Sequence, residues 1–257
     1  MASSECVGCG VILTGDIATR EHILPLWLAE EPHLPGVSYK HYHHREETES
    51  DELLRSHDLR SFAIKNVCAS CNNGWMSQLE GDAKPILLKL LNMEVTLLQM
   101  AQDERRIVSA WAIKTVFMIA SAQPEIKSLP WHLFGLLALT PRHVPEECPV
   151  VAGQQHFMDG FMHATRTDIG RSGGLPIHAR IAFSIRKLHF VVVIPFAAGE
   201  RLVRTTGVHL PLWPLDAEIR VRYAAFPTLS SPSELINYLV DAVECGIISR
   251  NADLQAK

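Results

Sequence analysis

Residues 67–80 read VCASCNNGWMSQLE, and this stretch decides the fold. It places a C-x-x-C pair, Cys68 and Cys71, directly before a helical pattern of apolar residues. A second pair, Cys6 and Cys9, lies upstream, and 58 residues separate the two pairs. A structural zinc ion takes four ligands in a tetrahedron, and each short spacing lets both sulfurs point at one ion. The sequence therefore predicts that the four cysteines bind one structural zinc ion.

The composition favours this metal site over disulfide bonds. The chain has 257 residues, and none of its apolar runs reaches the roughly 18 residues of a membrane span. Its first residues lack the basic and apolar regions of a signal peptide. We therefore expect a soluble cytoplasmic protein with no membrane partner, where cysteine pairs serve as metal ligands. A redox role for the pairs would normally need a thioredoxin-like βαβ context, and none is visible.

The first part of the chain alternates short extended segments with polar ones. Residues 17–23 can form a strand that Pro25 ends, and residues 60–67 form another that runs into Cys68. Residues 30–58, rich in His and Glu, are predicted to be a solvated insertion loop. One cysteine pair on a knuckle and one at a helix N-terminus make a treble clef. Pro85 interrupts the helical pattern after Cys71, so we expect a kink there or two helices.

The second part changes from helical to alternating periodicity. Helices are predicted over residues 103–122, with Asp103 as a possible cap, and over residues 131–139. Strands are predicted over residues 148–153, 161–168, 177–185, 188–195, 201–208 and 218–225. A terminal helix would begin near the capping box at residues 231–234 and end at Gly246.

These elements predict an α+β fold. An N-terminal treble-clef ββα-metal zinc module, residues 1–92, is followed by a second domain, residues 93–257. The sequence leaves the role of this domain open, with substrate binding and partner binding as the candidates. That domain comprises a helical segment, a mainly antiparallel β region and a C-terminal helix.

The net charge of −4 hides an asymmetry along the chain. Residues 1–100 carry 8 Lys and Arg against 14 Asp and Glu, whereas residues 160–222 carry 9 against 4. Positive potential is what a nucleic-acid ligand requires. The candidate contacts to phosphates are Arg20, Arg180, Arg186, Lys187, Arg220 and Arg222. The alternative is that these residues form a solvated face opposite a buried one.

Two motifs together resemble the HNH endonuclease family. They are EHILP at residues 21–25 and CASCNNGWMSQLE at residues 68–80, and the resemblance covers residues 6–92. It implies a metal-dependent endonuclease that hydrolyses phosphodiester bonds, most often of DNA, with RNA as the other possible substrate. His22 corresponds to the general base, because a histidine can take a proton from water near pH 7. Asn72 and Glu21 correspond to ligands of a catalytic Mg²⁺ or Mn²⁺ ion.

The resemblance departs from the family pattern at one position. The family's middle Asn lies nine residues before the last metal ligand, where this chain has Ala63. Asn66 is three residues away, and it matches the family position only if the strand register shifts or a bulge intervenes. A second hypothesis is therefore a catalytically inactive zinc-ordered module that binds nucleic acid or protein.

Each candidate residue also has a structural interpretation. His22 can be satisfied by a backbone carbonyl, Asn72 can cap the following helix, and Glu21 can pair with Arg20 or a surface lysine. Trp75 and Leu79 are expected in the core. Glu80 is expected at the surface.

Overall fold

The computed structural model describes residues 4–14, 17–30, 38–45, 50–58, 63–122, 129–139, 144–154, 165–172, 175–185, 188–196, 200–205, 209–213 and 243–248. These residues form helices and antiparallel strands, which confirms the predicted mixture of the two. None of the described helices combines the length and apolar character needed to cross a membrane.

The N-terminal part is built from short antiparallel pairs. Its elements are β1 (Ser4–Glu5), β2 (Ile12–Leu13), β3 (Ala18–His22), α1 (Leu26–Glu30), β4 (Ser38–Arg45), β5 (Ser50–Asp58) and β6 (Ala63–Cys68). β1 pairs with β2 across the first cysteine pair, and β3 pairs with β6. The predicted insertion loop instead contains a hairpin, because β4 pairs with β5 along its whole length. Its alternation of His with Tyr, Lys and Arg lacks the apolar face by which a strand is usually recognised.

The helical run after Cys68 is divided at Gly74 and not at Pro85. α2 (Ala69–Cys71) continues into a π-helical turn (Asn72–Met76) and then into α3 (Ser77–Leu91). Gly74 leaves the helical region, with φ −92° and ψ −113°. Pro85 lies inside α3, on its exposed side, and α3 continues through it. The apolar face of α3 is buried on both sides of the proline, and this burial keeps the helix continuous.

α4 (Gln102–Ser121) is the central helix of the molecule. Every residue from Val108 to Ala120 is buried, as expected for a helix that is apolar on nearly all sides. The predicted cap at Asp103 is wrong: Ala101 precedes the helix, and its N–H donates to Glu104 Oε2 at 2.9 Å. α4 contacts α3, β6 and α5 (Trp131–Leu139), and also several strands of the main sheet.

The main sheet has five antiparallel strands in the order β12-β7-β10-β9-β8. Its strands are β7 (Val150–Gln154), β8 (Thr165–Ser172), β9 (Leu175–Ile185), β10 (Leu188–Pro195) and β12 (His209–Trp213). Strand β12, which the sequence did not predict, carries Pro211 and lies at an edge, where a missing N–H is tolerated.

The predicted end of the terminal helix is wrong. A separate pair is formed by β11 (Glu200–Thr205) and β13 (Val243–Ile248), so Val243 and Gly246 are strand residues. The β-branched side chains of this segment suit a strand, and its pairing with β11 determines the structure. The predicted strand over residues 218–225 and the start of the terminal helix lie outside the described residues.

One continuous core joins the two predicted domains. Trp111 on α4 contacts Phe183 and Phe190 of the sheet, with ring centroids 5.9 and 5.8 Å apart. Phe117 lies six residues further along α4, and its ring centroid is 5.2 Å from that of Phe134 on α5. Buried residues on both sides of the predicted boundary at residue 92 belong to the same cluster.

Candidate zinc centre and active site

The two cysteine pairs meet in space. The Sγ atoms of Cys6, Cys9, Cys68 and Cys71 all lie within 4.8 Å of one another. The first pair lies between β1 and β2, and the second lies at the junction of β6 and α2. All four thiols are free of disulfide bonds. Sequence spacing therefore identified a cluster that the fold assembles across 59 positions of the chain.

The cluster has the dimensions of a zinc site. A tetrahedron with Zn–S distances of about 2.3 Å has edges of about 3.8 Å. The Cys9 and Cys68 sulfurs are 3.7 Å apart. The donor set and its size therefore both fit a structural metal ion such as zinc.

Backbone groups support the sulfurs. The Cys68 N–H donates to Cys6 Sγ at 3.3 Å, and the Cys71 N–H donates to Cys68 Sγ at 3.4 Å. Burial raises the pKa of the Cys71 thiol, with the neighbouring sulfurs of Cys9 and Cys68 acting in the same direction. The pKa of the Cys6 thiol is lowered overall. Burial acts to raise it, but hydrogen bonds from backbone groups outweigh the effect of burial. A bound cation stabilises the thiolate form that such a cluster otherwise resists.

Asn72 ties the helical turn to strand β3. Its Nδ2 donates to Thr19 Oγ1 at 3.1 Å and to the Arg20 carbonyl at 3.4 Å. Thr19 Oγ1 in turn donates to the Val67 carbonyl at 3.1 Å. The helix-cap interpretation of Asn72 is wrong, because the sulfur of Cys68 takes that role. Both bonds use the amide nitrogen, which leaves Oδ1 to accept a hydrogen bond or to ligate a cation.

His22 ends strand β3 and is half-buried. Its cross-strand partner is Ala63, the residue at the family's middle position. The pairing skips from Val67 to Ile64 while β3 advances only from Thr19 to Glu21. Lys65 and Asn66 therefore form a bulge opposite Arg20, while Ala63 remains the residue opposite His22. The Asn66 side chain is half-buried, and among the described residues no hydrogen bond reaches its Oδ1 atom.

Glu21 is buried in an ion cluster. Its carboxylate accepts a hydrogen bond from the ammonium of Lys114 on α4, and Glu80 Oε1 accepts from the same nitrogen at 2.7 Å. The Lys114 side chain is fully buried, and the Glu80 side chain is 23% exposed. The pairing interpretation of Glu21 is thus supported, with a buried lysine in place of a surface one. Glu80, expected at the surface, is half-buried in the cluster.

Burial and charge act in opposite directions in this cluster. Burial lowers the pKa of Lys114, but the carboxylates of Glu80 and Glu21 outweigh it, so that pKa is raised. Burial raises the pKa of Glu21, and the ammonium of Lys114 opposes the rise. A buried charge persists only where partners match it. The cluster therefore holds its ammonium and its two carboxylates together as one unit.

The sequence reasoning missed Lys114. It is the single charged residue in the apolar run of residues 107–120, and a lysine at such a position requires a partner. Nothing in its spacing identifies Glu21, which lies 93 positions away. The partner emerges only when α4 packs against β3 and α3.

The two predicted metal ligands lie in different environments. Among the described residues, no hydrogen bond reaches the Oδ1 atom of Asn72, and an amide oxygen is a ligand that Mg²⁺ accepts. The Glu21 carboxylate is buried and accepts a hydrogen bond from Lys114.

The other predicted residues fall into separate environments. Leu79 lies in the core and Trp75 packs against it, as expected. The ring centroids of Trp75 and Phe134 are 5.3 Å apart. Arg20 is exposed on β3, and Arg180 is half-buried on β9. Arg186, Lys187, Arg220 and Arg222 lie outside the described residues.

A groove of about 580 Å³ lies beside the zinc centre. It is lined by the knuckle, residues 5–10, and by Trp131, His132, Gly135 and Leu136 of α5. Neither His22 nor Asn72 lines it. The groove is therefore a surface feature separate from the predicted catalytic residues.

No known protein family, curated protein or solved structure matches this chain. Function must therefore be inferred from the zinc centre, strand β3 and Asn72.

Proposed function

We propose that the chain is an HNH-type endonuclease that hydrolyses phosphodiester bonds of DNA, with His22 as the general base. One observation supports this above all: β3 and β6 form an antiparallel pair that runs through the cysteine cluster directly into a helix. Asn72, in the first turns of that helix, is bonded to β3 two and three residues before His22. This order of elements supports the proposal, because the sequence resemblance implies two antiparallel strands followed by a helix.

The chain holds His22 in a fixed position. Ile23 and Leu24, which follow it, are almost completely buried, and Asn72 anchors the strand before it. An imidazole held at a strand end can accept a proton from an attacking water. The positioning matters because a base must lie within hydrogen-bond reach of the water it activates.

A divalent ion such as Mg²⁺ or Mn²⁺, when bound, would neutralise charge that develops on the scissile phosphate. Among the described residues, Asn72 Oδ1 is a group that would ligate it. Arg20, two residues before His22 on β3, is exposed and is the candidate phosphate contact on this strand. The zinc centre contributes rigidity, because it fixes β6 and the helical turn relative to the knuckle.

Plasmid nicking tests this proposal. Purified zinc-loaded protein is incubated with supercoiled plasmid and Mg²⁺, Mn²⁺ or EDTA, beside the variants His22→Ala and His132→Ala. His132 is an exposed histidine on α5 and serves as the matched control. We expect metal-dependent nicking that falls by about 10²–10⁴-fold in His22→Ala and is retained in His132→Ala. Equal rates of nicking by His22→Ala and the wild type would contradict the proposal.

A second candidate function is a zinc-ordered module that binds nucleic acid without cutting it. Two observations favour it: Ala63 stands opposite His22, and Lys114 engages Glu21. This candidate predicts binding to labelled DNA or RNA that weakens steeply as salt increases, without nicking under any metal. Metal-dependent nicking that requires His22 would exclude it.

A further inference from the structure

We propose that Lys114 supplies the cation for Glu21, so that Glu21 anchors strand β3 and does not ligate a divalent metal. One part of this proposal rests on the proposed function, namely that Asn72 binds the metal used in hydrolysis. The statement about Glu21 concerns metal binding and stands whether or not the protein cuts DNA.

The first reason is occupancy. The Lys114 ammonium is bonded to one oxygen of Glu21 and one oxygen of Glu80, so it lies in the position between the two carboxylates. Two carboxylates that converge on one point are the donors a hard divalent cation would take. The protein provides the positive charge there from its own chain.

The second reason is burial. The side chains of Lys114 and Glu21 are 0% and 7% exposed. Mg²⁺ gives up its water reluctantly and usually keeps several water ligands in protein sites. Of the three side chains, that of Glu80 is the most exposed, at 23%, so an ion in place of the ammonium would keep few of those waters. The ammonium, in contrast, is desolvated once during folding and is matched by two acceptors.

The third reason is connectivity. Lys114 lies on α4, whereas Glu21 lies on β3 and Glu80 in the first turn of α3. One nitrogen therefore joins three elements at the strand that carries His22. Removal of Glu21 from this cluster to bind a metal would leave the Lys114 charge buried with a single partner.

Manganese binding tests the proposal directly. Zinc-loaded full-length protein is titrated with Mn²⁺, and free Mn²⁺ is followed by electron paramagnetic resonance. The variants are Glu21→Gln, Lys114→Met, the double variant with both changes, and Lys89→Met. Lys89 is an exposed lysine on α3 and is the matched control for loss of one positive charge. Zinc content and helicity are measured for each.

We expect Glu21→Gln to bind Mn²⁺ as the wild type does, within a factor of about two. We expect Lys114→Met to gain a Mn²⁺ site at least tenfold tighter than any in the wild type, and the double variant to lose it. Lys89→Met should gain none. These results would assign the ammonium to the cation position.

Two results would overturn the proposal. One is a Glu21→Gln variant that loses the wild type's Mn²⁺ binding, because Glu21 would then be a metal ligand despite Lys114. The other is a folded Lys114→Met variant that gains no site. If Lys114→Met does not fold, Glu21→Gln alone decides the question, because it retains the shape of the side chain. Failure of DNA nicking, by contrast, would bear on the proposed function and leave these binding results unaffected.

Discussion

Gly8 packs against the sulfur of Cys71 inside the cluster of four cysteines. A Cβ at this position would lie 3.0 Å from Cys71 Sγ, and Cys71 cannot move away once zinc holds it. We expect Gly8→Ala to weaken zinc binding by about 10-fold, the smaller effect typical of changes next to metal ligands. Competition with a chromogenic chelator measures this affinity.

Gly81→Ala is the matched control for Gly8→Ala. Gly81 is exposed on α3, and a Cβ there meets no atom within 4 Å. Alanine favours helices over glycine by about 0.8–1.0 kcal/mol, so this variant should keep its zinc affinity and unfold at a higher denaturant concentration. Unchanged zinc affinity in Gly8→Ala would contradict the close contact with Cys71.

At the residue scale, the sequence predicted what depends on local spacing. The two cysteine pairs indicate a shared metal site, because two pairs of cysteines, each pair three positions apart, supply the four sulfur ligands of a tetrahedral ion. The Asn66 bulge and the Lys114 partnership were not predictable in this way. Both depend on the register or packing of segments that are distant in the chain.

Gln154 joins strand β7 to the segment that follows α3. Its Nε2 donates to the carbonyls of Leu90 and Val95 at 2.9 and 3.1 Å, and its Oε1 accepts from the Leu97 N–H at 3.2 Å. We expect Gln154→Leu to lower the free energy of unfolding by about 1–3 kcal/mol, because backbone groups lose their partners. Urea denaturation followed by circular dichroism measures the change.

Gln78→Leu provides the comparison for Gln154→Leu. Gln78 is exposed on α3, where a surface substitution changes stability by no more than about 0.5 kcal/mol. Equal denaturation midpoints for the two variants would show that the Gln154 hydrogen bonds do not hold β7 to α3.

At the element scale, strongly periodic segments were predicted well and weakly periodic ones were not. α4, α5 and the β9–β10 hairpin appear close to their expected bounds, since an apolar pattern specifies each of them. The β4–β5 hairpin, β12 and β13 carry polar, proline-containing or glycine-containing sequences. Their structure comes from cross-strand pairing, which a single segment's pattern does not encode.

At the scale of the whole molecule, α4 packs against α3 and β6 and also against strands of the main sheet. Residues 1–92 alone would lack Lys114 and would expose Leu79, Leu87 and other buried residues of α3. We expect a fragment of residues 1–92 to show low helicity and no cooperative thermal transition, even with zinc present. Circular dichroism of this fragment beside the full chain makes the comparison. A fragment that melts cooperatively as a zinc complex would instead establish residues 1–92 as an independent domain.

The β4–β5 hairpin also bears on how the zinc centre is first assembled. In the unfolded chain, Cys9 and Cys68 are 59 positions apart and must come together for the metal site to form. The entropic cost of closing a loop rises by about 0.6 kcal/mol for each doubling of its length. A hairpin forms within about 1–10 μs, far sooner than most long-range contacts. Because Ser38 pairs with Asp58, its formation removes residues 38–58 from the path between the cysteine pairs. We therefore expect the hairpin to shorten the search between the cysteine pairs and to speed metal capture during folding.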